Sequence, residues 1–263
     1  MQPLTFVHIS DSHVLTDPSR RGWERGPSLP GASALVREIE TLPAPVDFVL
    51  HTGDVVHDPE REEEYQRALQ LYRRLSVPVY FLPGNHDRSR WLQRALRGVE
   101  DPGPHADQEF EAGGVQFLLL DSSVADANHN EGHGQLAPEQ LAWLEGRCAA
   151  PDSRPLVVAL HHHPLAIDVS WLDDLVLRNG EALHEILLLA RRRLRCVLYG
   201  HIHESLLTLR DGIAYQSVRG SWFQNRTWPG QETEFPEPIQ WPGYNLVTLT
   251  ERDTFIRHCR VRR

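Results

Sequence analysis

Apolar residues along this chain come in short runs, and five of those runs end in a small polar block. Residues 4–10 are rich in β-branched and aromatic side chains and stop at Asp11, which predicts a buried strand opening into a polar loop. Residues 31–42 have helical spacing at Leu35, Ile39 and Leu42; beyond Pro43 and Pro45, residues 46–51 predict a second strand that enters Thr52-Gly53-Asp54. A charged helix over 59–75, with Leu69, Leu71, Tyr72 and Leu75 inward, precedes a strand over 77–82 and then Pro83-Gly84-Asn85-His86-Asp87. Residues 108–112 and 115–120 flank Gly113-Gly114, a hairpin signal, and a helix follows over 138–148. Strands over 156–160 and 194–199 end at His161-His162-His163-Pro164 and at Gly200-His201-Ile202-His203.

From Leu206 onward the pattern is strands and turns (206–209, 213–216, 246–249, 255–260), so the second half is expected to supply a more antiparallel sheet. Strand–helix units followed by β-rich structure predict an α/β fold with two packed sheets flanked by helices. Between them, residues 221–243 hold Trp222, Phe223, Trp228, Phe235 and Trp241 among four prolines and show neither period. A stretch of that length reads as a lid or a dimer contact, or as aromatics packed over a sheet edge.

Composition narrows the setting. A chain of 263 residues with 40% hydrophobic content suits one domain, 1–263, with a well-buried core. The formal charge of -9, with basic residues scattered or confined to Arg191-Arg192-Arg193, offers no wide cationic face, so duplex nucleic acid is not an expected partner. Bound divalent cations would offset negative charge locally, so the acidic balance does not exclude an anionic ester substrate. Three cysteines without close pairs fit a reducing compartment. The first residues have no basic, apolar leader pattern, and no run approaches the ~18 apolar residues of a membrane helix. The expectation is a cytoplasmic protein with no membrane association.

The five polar blocks carry the chemistry. Asp11 and His13, two apart at a strand end, point to one side and can share an ion while Ser12 faces away. His201 and His203 repeat that geometry, and Gly200 lets the backbone turn sharply beneath the metal. Asp54 is the natural bridging carboxylate, because two oxygens can hold two cations ~3.5 to 4 Å apart. Asn85 offers an uncharged oxygen that leaves the metal electrophilic. Any one block is weak evidence; five in order are not.

Asp11-Ser12-His13, Gly53-Asp54, Gly84-Asn85-His86-Asp87, the run from His161 and Gly200-His201-Ile202-His203 together resemble the signature of the calcineurin-like metallophosphoesterases, in order from about Phe6 to His203. The resemblance implies a four-layer αββα sandwich. It also implies one metal on Asp11, His13, Asp54 and His203, and a second on Asp54, Asn85, His161 and His201. His161 is chosen from its run because the first position after the strand is the usual ligand in similar proteins, with His162 behind it. His86 then sits over the phosphate without binding metal, and Asn85, His86 and His203 contact substrate. Similar proteins are often homodimers.

His161-His162-His163-Pro164-Leu165, Ser170-Trp171-Leu172-Asp173, Leu177-Arg178-Asn179 and Gly134-Gln135-Leu136 with Gln140-Leu141-Ala142-Trp143-Leu144 are similar to bacterial class III cyclic-AMP phosphodiesterases. That likeness implies hydrolysis of 3',5'-cyclic nucleotides, cyclic AMP in particular, to nucleoside 5'-monophosphates. The alternative is the same chemistry on another ester, such as a glycerophosphodiester or a phosphomonoester. The chain departs from the group at Asn245, where arginine is expected after Pro242-Gly243-Tyr244, and over residues 17–31; both are expected near substrate. A binding protein that has lost catalysis would lack ligands, and all seven are present.

In that reading two ions would lower the pKa of a shared water, yielding hydroxide for in-line attack on phosphorus, and would balance phosphoryl charge. His86 is assigned the proton donation to the leaving oxygen, with Asp87 orienting it. Mixed nitrogen and oxygen sites accept manganese, iron, zinc or cobalt, with Mn and Fe placed first. His8, His51, His57, His105, His129, His133, His184 and His258 have no role in these motifs, His57 being the least certain because it follows Asp54 so closely.

Overall fold

The computed structural model describes residues 2–17, 26–124, 132–237 and 241–261. His129, residues 18–25 of the stretch over 17–31, and residues 238–240 of the aromatic loop lie outside the described residues. Two sheets stack face to face. The first comprises β1 (Leu4–Ile9), β2 (Phe48–His51), β3 (Val79–Phe81), β10 (Gly243–Leu249) and β11 (Thr254–Arg260), in the order β11-β10-β1-β2-β3. The second comprises β4 (Gln108–Ala112), β5 (Val115–Leu119), β6 (Leu156–Ala159), β7 (Leu194–Tyr199), β8 (Leu207–Arg210) and β9 (Ile213–Ser217), in the order β4-β5-β6-β7-β9-β8.

Period-two alternation explains the layering. Phe6, Phe48, Phe117, Leu119, Val157, Ala159, Leu198 and Val247 form the layer between the sheets. Their chain neighbours face outward. Val7, Ile9 and Val49 pack with Leu35, Val36 and Ile39 of α1 (Leu29–Glu40), Tyr65, Ala68 and Leu71 of α2 (Glu62–Tyr72), and Leu92 of α3 (Ser89–Arg97). Leu118, Val158 and Val197 pack with Leu144 of α4 (Pro138–Ala149), Leu172 of α5 (Ser170–Asp173), and Leu183 and Leu187 of α6 (Gly180–Leu189). The result is the expected sandwich of two mixed sheets flanked by helices. No described helix is long and apolar enough to cross a membrane.

Beyond Leu206 the pairings β8-β9, β10-β11 and β10-β1 are antiparallel, as expected, but these strands extend sheets begun earlier: β10 returns to pair with β1, with Leu4 opposite Leu249, and β9 joins the parallel run β5-β6-β7-β9. Pairing between chain ends leaves no trace in local periodicity. The sequence pattern does not predict α3, α5 and α6. In α3 the buried side chains are Leu92 and Gln93 alone, and the leucines closing α6 form a run instead of a stripe.

Parallel pairing sets the polar blocks side by side. Phe6 to Ile9 align with Phe48 to His51, so the loops beyond them lock together: Asp11 N donates to Gly53 O (2.9 Å) and His13 N to Asp54 O (2.8 Å). In the other sheet Gly200 N donates to His161 O (3.0 Å). Ser221 N donates to Asp11 O (3.2 Å), and a parallel bridge joins Ser10 to Gly220, so the two rims meet.

Candidate metal centre

Strand ends place the side chains by unusual backbone. Seven non-glycine residues among those described have positive φ, and five are Asp11 (54°), His13 (42°), Asp54 (52°), His201 (69°) and His203 (54°). Left-handed conformations cost energy in such residues and gather where geometry serves a function. Close packing tightens the site further: a Cβ at Gly84 would collide with the Asp54 carboxylate, and one at Gly200 with Ser10 Oγ.

Asp11, His13, Asp54 and His203 bring their ligand atoms within 4.8 Å of one another, all buried. His203 Nε2 lies 3.3 Å from Asp11 Oδ1 and 3.3 Å from His13 Nε2. Asp54 Oδ2 lies between the halves, 3.5 Å from His13 Nε2 and 3.4 Å from His161 Nε2. Beyond it, His161 Nε2 is 3.1 Å from Asn85 Oδ1 and 3.3 Å from His201 Nδ1. All seven ligand candidates are thus linked into one chain of contacts. Imidazole nitrogens aimed at one another, with carboxylates between them, gain little as hydrogen bonds and suit cations; this donor set fits two ions sharing Asp54.

Two of the imidazoles are held at their distal nitrogens. His161 Nδ1 contacts Thr52 O (2.7 Å) and His203 Nδ1 contacts Phe223 O (3.0 Å), which fixes both rings with Nε2 inward. Ser12 faces away, its Oγ meeting His51 Nε2 (2.8 Å) and Val55 O (3.1 Å). His162 sits behind, with Nδ1 2.8 Å from Ser122 Oγ, although its ring also falls in a group with His161 and His201.

Electrostatics keep the site ready for cations. Burial pushes the Asp54 carboxyl up, but His161, His86 and His13 outweigh it and hold the group well below its ordinary value. Asp11 is likewise lowered, burial being overcome by His203 and His161. Burial drives His13 and His201 well below the ordinary imidazole value, so their nitrogens offer lone pairs at neutral pH. His161 differs: burial lowers it, yet Asp54 lifts it to about 9, so metal binding must displace a proton there.

His86 N donates to Asp54 Oδ1 (2.8 Å), and His86 Nδ1 lies 3.2 Å from His57 O. Asp87 does not orient His86. Its carboxylate accepts from Gly84 N (2.9 Å), Val55 N (3.0 Å) and Val56 N (3.1 Å), pinning two ligand loops together because those buried N–H groups require an acceptor. The His57 carbonyl does the orienting instead. Asn245 is also displaced from its expected place: it lies in the inter-sheet layer, donating to Ser217 O (2.9 Å) and meeting His8 Nδ1 (3.2 Å). Its position on β10, paired opposite His8, puts it out of reach of a substrate.

A cavity of about 410 Å3 opens over the centre, lined by His13, Asp54, Asn85, His86, His201 and His203 and by Trp171, Leu172, Leu175, Phe223, Asn225 and Glu234. The front of the aromatic loop therefore belongs to the site: Phe223 stacks on His203 at 3.8 Å, and Trp222 lies 5.3 Å from His13. Trp222 Nε1 donates to Gly26 O (3.1 Å), tying the far end of the unmatched stretch to this rim. Asn225 and Leu175 gave no sequence signal. His57, flagged by its position alone, stacks on His86 at 5.2 Å.

Comparison with known proteins places these features. The family model described as calcineurin-like phosphoesterase matches residues 4–205. A Pseudomonas aeruginosa protein named 3',5'-cyclic adenosine monophosphate phosphodiesterase CpdA is 34% identical, covering 93% of this chain and 85% of that one. A Nostoc protein named 3',5'-cyclic-nucleotide phosphodiesterase is 29% identical, covering 94% and 88%. A solved dimetal phosphatase from Danio rerio superposes with a TM-score of 0.70 at 18% identity, over 98% of this chain and 96% of that one.

Proposed function

The chain belongs to the calcineurin-like phosphoesterase family, a dinuclear metal-dependent phosphoric ester hydrolase, and from that premise we propose that it hydrolyses 3',5'-cyclic nucleotides, cyclic AMP foremost, to nucleoside 5'-monophosphates. The observation that carries the reading is Asp54 Oδ2, approached by His13 Nε2 at 3.5 Å on one side and His161 Nε2 at 3.4 Å on the other. Asp11, His13, Asp54 and His203 hold one ion in this reading, and Asp54, Asn85, His161 and His201 the other. When bound, such ions supply a water of lowered pKa and offset charge on the phosphoryl oxygens.

The chain's own residues do the rest. Asn85 contributes a neutral oxygen at the second ion and contacts substrate. His86, with Nδ1–H held at His57 O, would act from its doubly protonated form, the other nitrogen giving its proton to the leaving 3' oxygen as the P–O bond breaks and becoming the acceptor of the neutral ring. His203, lining the cavity and stacked on Phe223, steadies the phosphate. Manganese and iron are the first choices for the ions, zinc and cobalt next. Three free cysteines support a reducing, cytoplasmic setting. Trp228 and Phe235, exposed and in ring contact at 5.4 Å, are where a second copy would bind; light scattering of a Trp228→Ser, Phe235→Ser variant tests that contact.

Manganese-loaded protein offered cyclic AMP, cyclic GMP, bis(p-nitrophenyl) phosphate, glycerophosphodiesters and monoesters decides the substrate. Fast turnover of a glycerophosphodiester with no hydrolysis of either cyclic nucleotide would overturn the reading.

A further inference from the structure

Three imidazoles meet beside the paired centre, and only His13 is assigned to it. His13, His57 and His86 each bring a ring nitrogen within 4.8 Å of the other two. Ring centroids lie 4.7 Å apart for His13 and His86, 5.2 Å for His57 and His86, and 5.7 Å for His13 and His57. Backbone pairing makes the cluster. The loops after β1 and β2 run on side by side, through a parallel bridge between Val14 and Val56 and a hydrogen bond from His57 N to Val14 O (3.1 Å), which carries His57 to the flank of His13. His86 joins from the loop after β3, its N on Asp54 Oδ1 (2.8 Å) and its Nδ1 3.2 Å from His57 O.

The donor set differs from that of the pair. Asp11 and Asp54 stand among the ligands there, whereas this group holds imidazoles and no carboxylate. Such a set favours zinc over manganese or magnesium, which prefer oxygen. Nitrogens bound to one tetrahedral zinc at about 2.0–2.1 Å lie roughly 3.4 Å from one another, so the rings need close by no more than about 1.5 Å. His13 and His86 line the cavity over the centre, so an ion reaches them by the route the substrate takes.

We propose that His13, His57 and His86 form a third metal site, which takes zinc and inhibits the enzyme. His13 is the corner shared with the first ion. Once that ion is bound, His57 and His86 remain to hold the third, with water in its other positions; two imidazoles bind more weakly than the caged pair, so the site fills only when zinc is in excess. The effect on turnover rests on the reading of His86 as the proton donor. Zinc takes the lone pair of one His86 ring nitrogen, and the proton carried there passes to water. A ring with one nitrogen on a metal cannot be doubly protonated, so the leaving oxygen loses its donor.

The test counts ions and reads inhibition separately. Protein carrying its two ions is equilibrated with excess zinc, and total metal per chain is measured by elemental analysis at fixed free zinc. Exchange of zinc into the paired centre alters which ions are present and leaves the total unchanged. Wild type is expected to hold three ions and His57→Gln two. The same zinc is expected to lower kcat for cyclic AMP about 10²-fold in wild type, the lower end of what a proton donor contributes, and less than about twofold in His57→Gln. Each protein is compared with its own rate before zinc is added, so any change in basal rate cancels. Only two ions in wild type, a third ion retained by His57→Gln, or equal inhibition of the two proteins overturns the proposal. Should cyclic AMP not be hydrolysed at all, the substrate reading fails, and the ion count still decides the site.

Discussion

The layer between the sheets and the rim where the strands end use the same strands and obey opposite rules. Between the sheets, Phe6 stacks on Phe48 at 4.8 Å and Phe117 meets both edge-on, at 5.5 and 5.2 Å. Even two polar members of that layer are satisfied: His8 reaches Thr52 Oγ1 at 3.0 Å and Asn245 Nδ2 at 3.2 Å. At the rim, a few residues further along, backbone turns left-handed at Asp11, His13, Asp54, His201 and His203, and imidazole nitrogens face one another at 3.3 Å. Burial stabilises the first region. In the second it is spent on holding charge and lone pairs where cations can use them.

The contrast predicts that damage to the two regions separates activity from stability. Asp54→Ala should remove the shared ligand of both ions, lowering kcat/KM by at least about 10³-fold, since several kcal/mol of charge stabilisation go with it; elemental analysis should show fewer than two ions per chain with far-UV dichroism unchanged. His86→Ala should retain both ions yet lose about 10²- to 10⁴-fold in kcat. Near-normal turnover by that variant would remove His86 from the proton transfer. Phe48→Ala should behave oppositely, costing about 3–5 kcal/mol in urea unfolding while the folded fraction keeps its turnover.

The smallest effect is on pH dependence. Burial holds His8 and His51 each down to about 3, against 6.5 for a free imidazole. Between those values the unfolded chain binds protons that the folded chain refuses. The stability is therefore complete above pH 6.5 and falls as pH drops toward 3, by at most about 1.4 kcal/mol per pH unit for each histidine. Unfolding free energies measured from pH 6 to 4.5 should slope less steeply in His8→Gln than in wild type; an unchanged slope would mean His8 titrates normally in the fold.

Much of this architecture is legible in the sequence. Period-two runs announced the strands that carry the ligands, and polar blocks at their ends announced Asp11, His13, Asp54, Asn85, His161, His201 and His203, because strand and ligand are neighbours along the chain. Asp87 and Asn245 serve other partners than their sequence context suggests, for the converse reason. Adjacency suggested that Asp87 serves His86, but the nearest unpaired donors in space were the amides of Val55, Val56 and Gly84. Asn245 stands in a loop-like stretch of sequence, yet pairing of β10 with β1 carries it inside.

Short-range order and the chemistry of each side chain are enough to mark the seven candidate ligands and the strands that carry them. Long-range packing alone makes β10 and β11 complete the first sheet, sets the His57 carbonyl against His86, and brings Phe223, Trp171 and Asn225 to the cavity wall. Those contacts join residues tens to hundreds of positions apart. They are selected by which surfaces remain to be covered once the sheets have packed, a condition that no local pattern records.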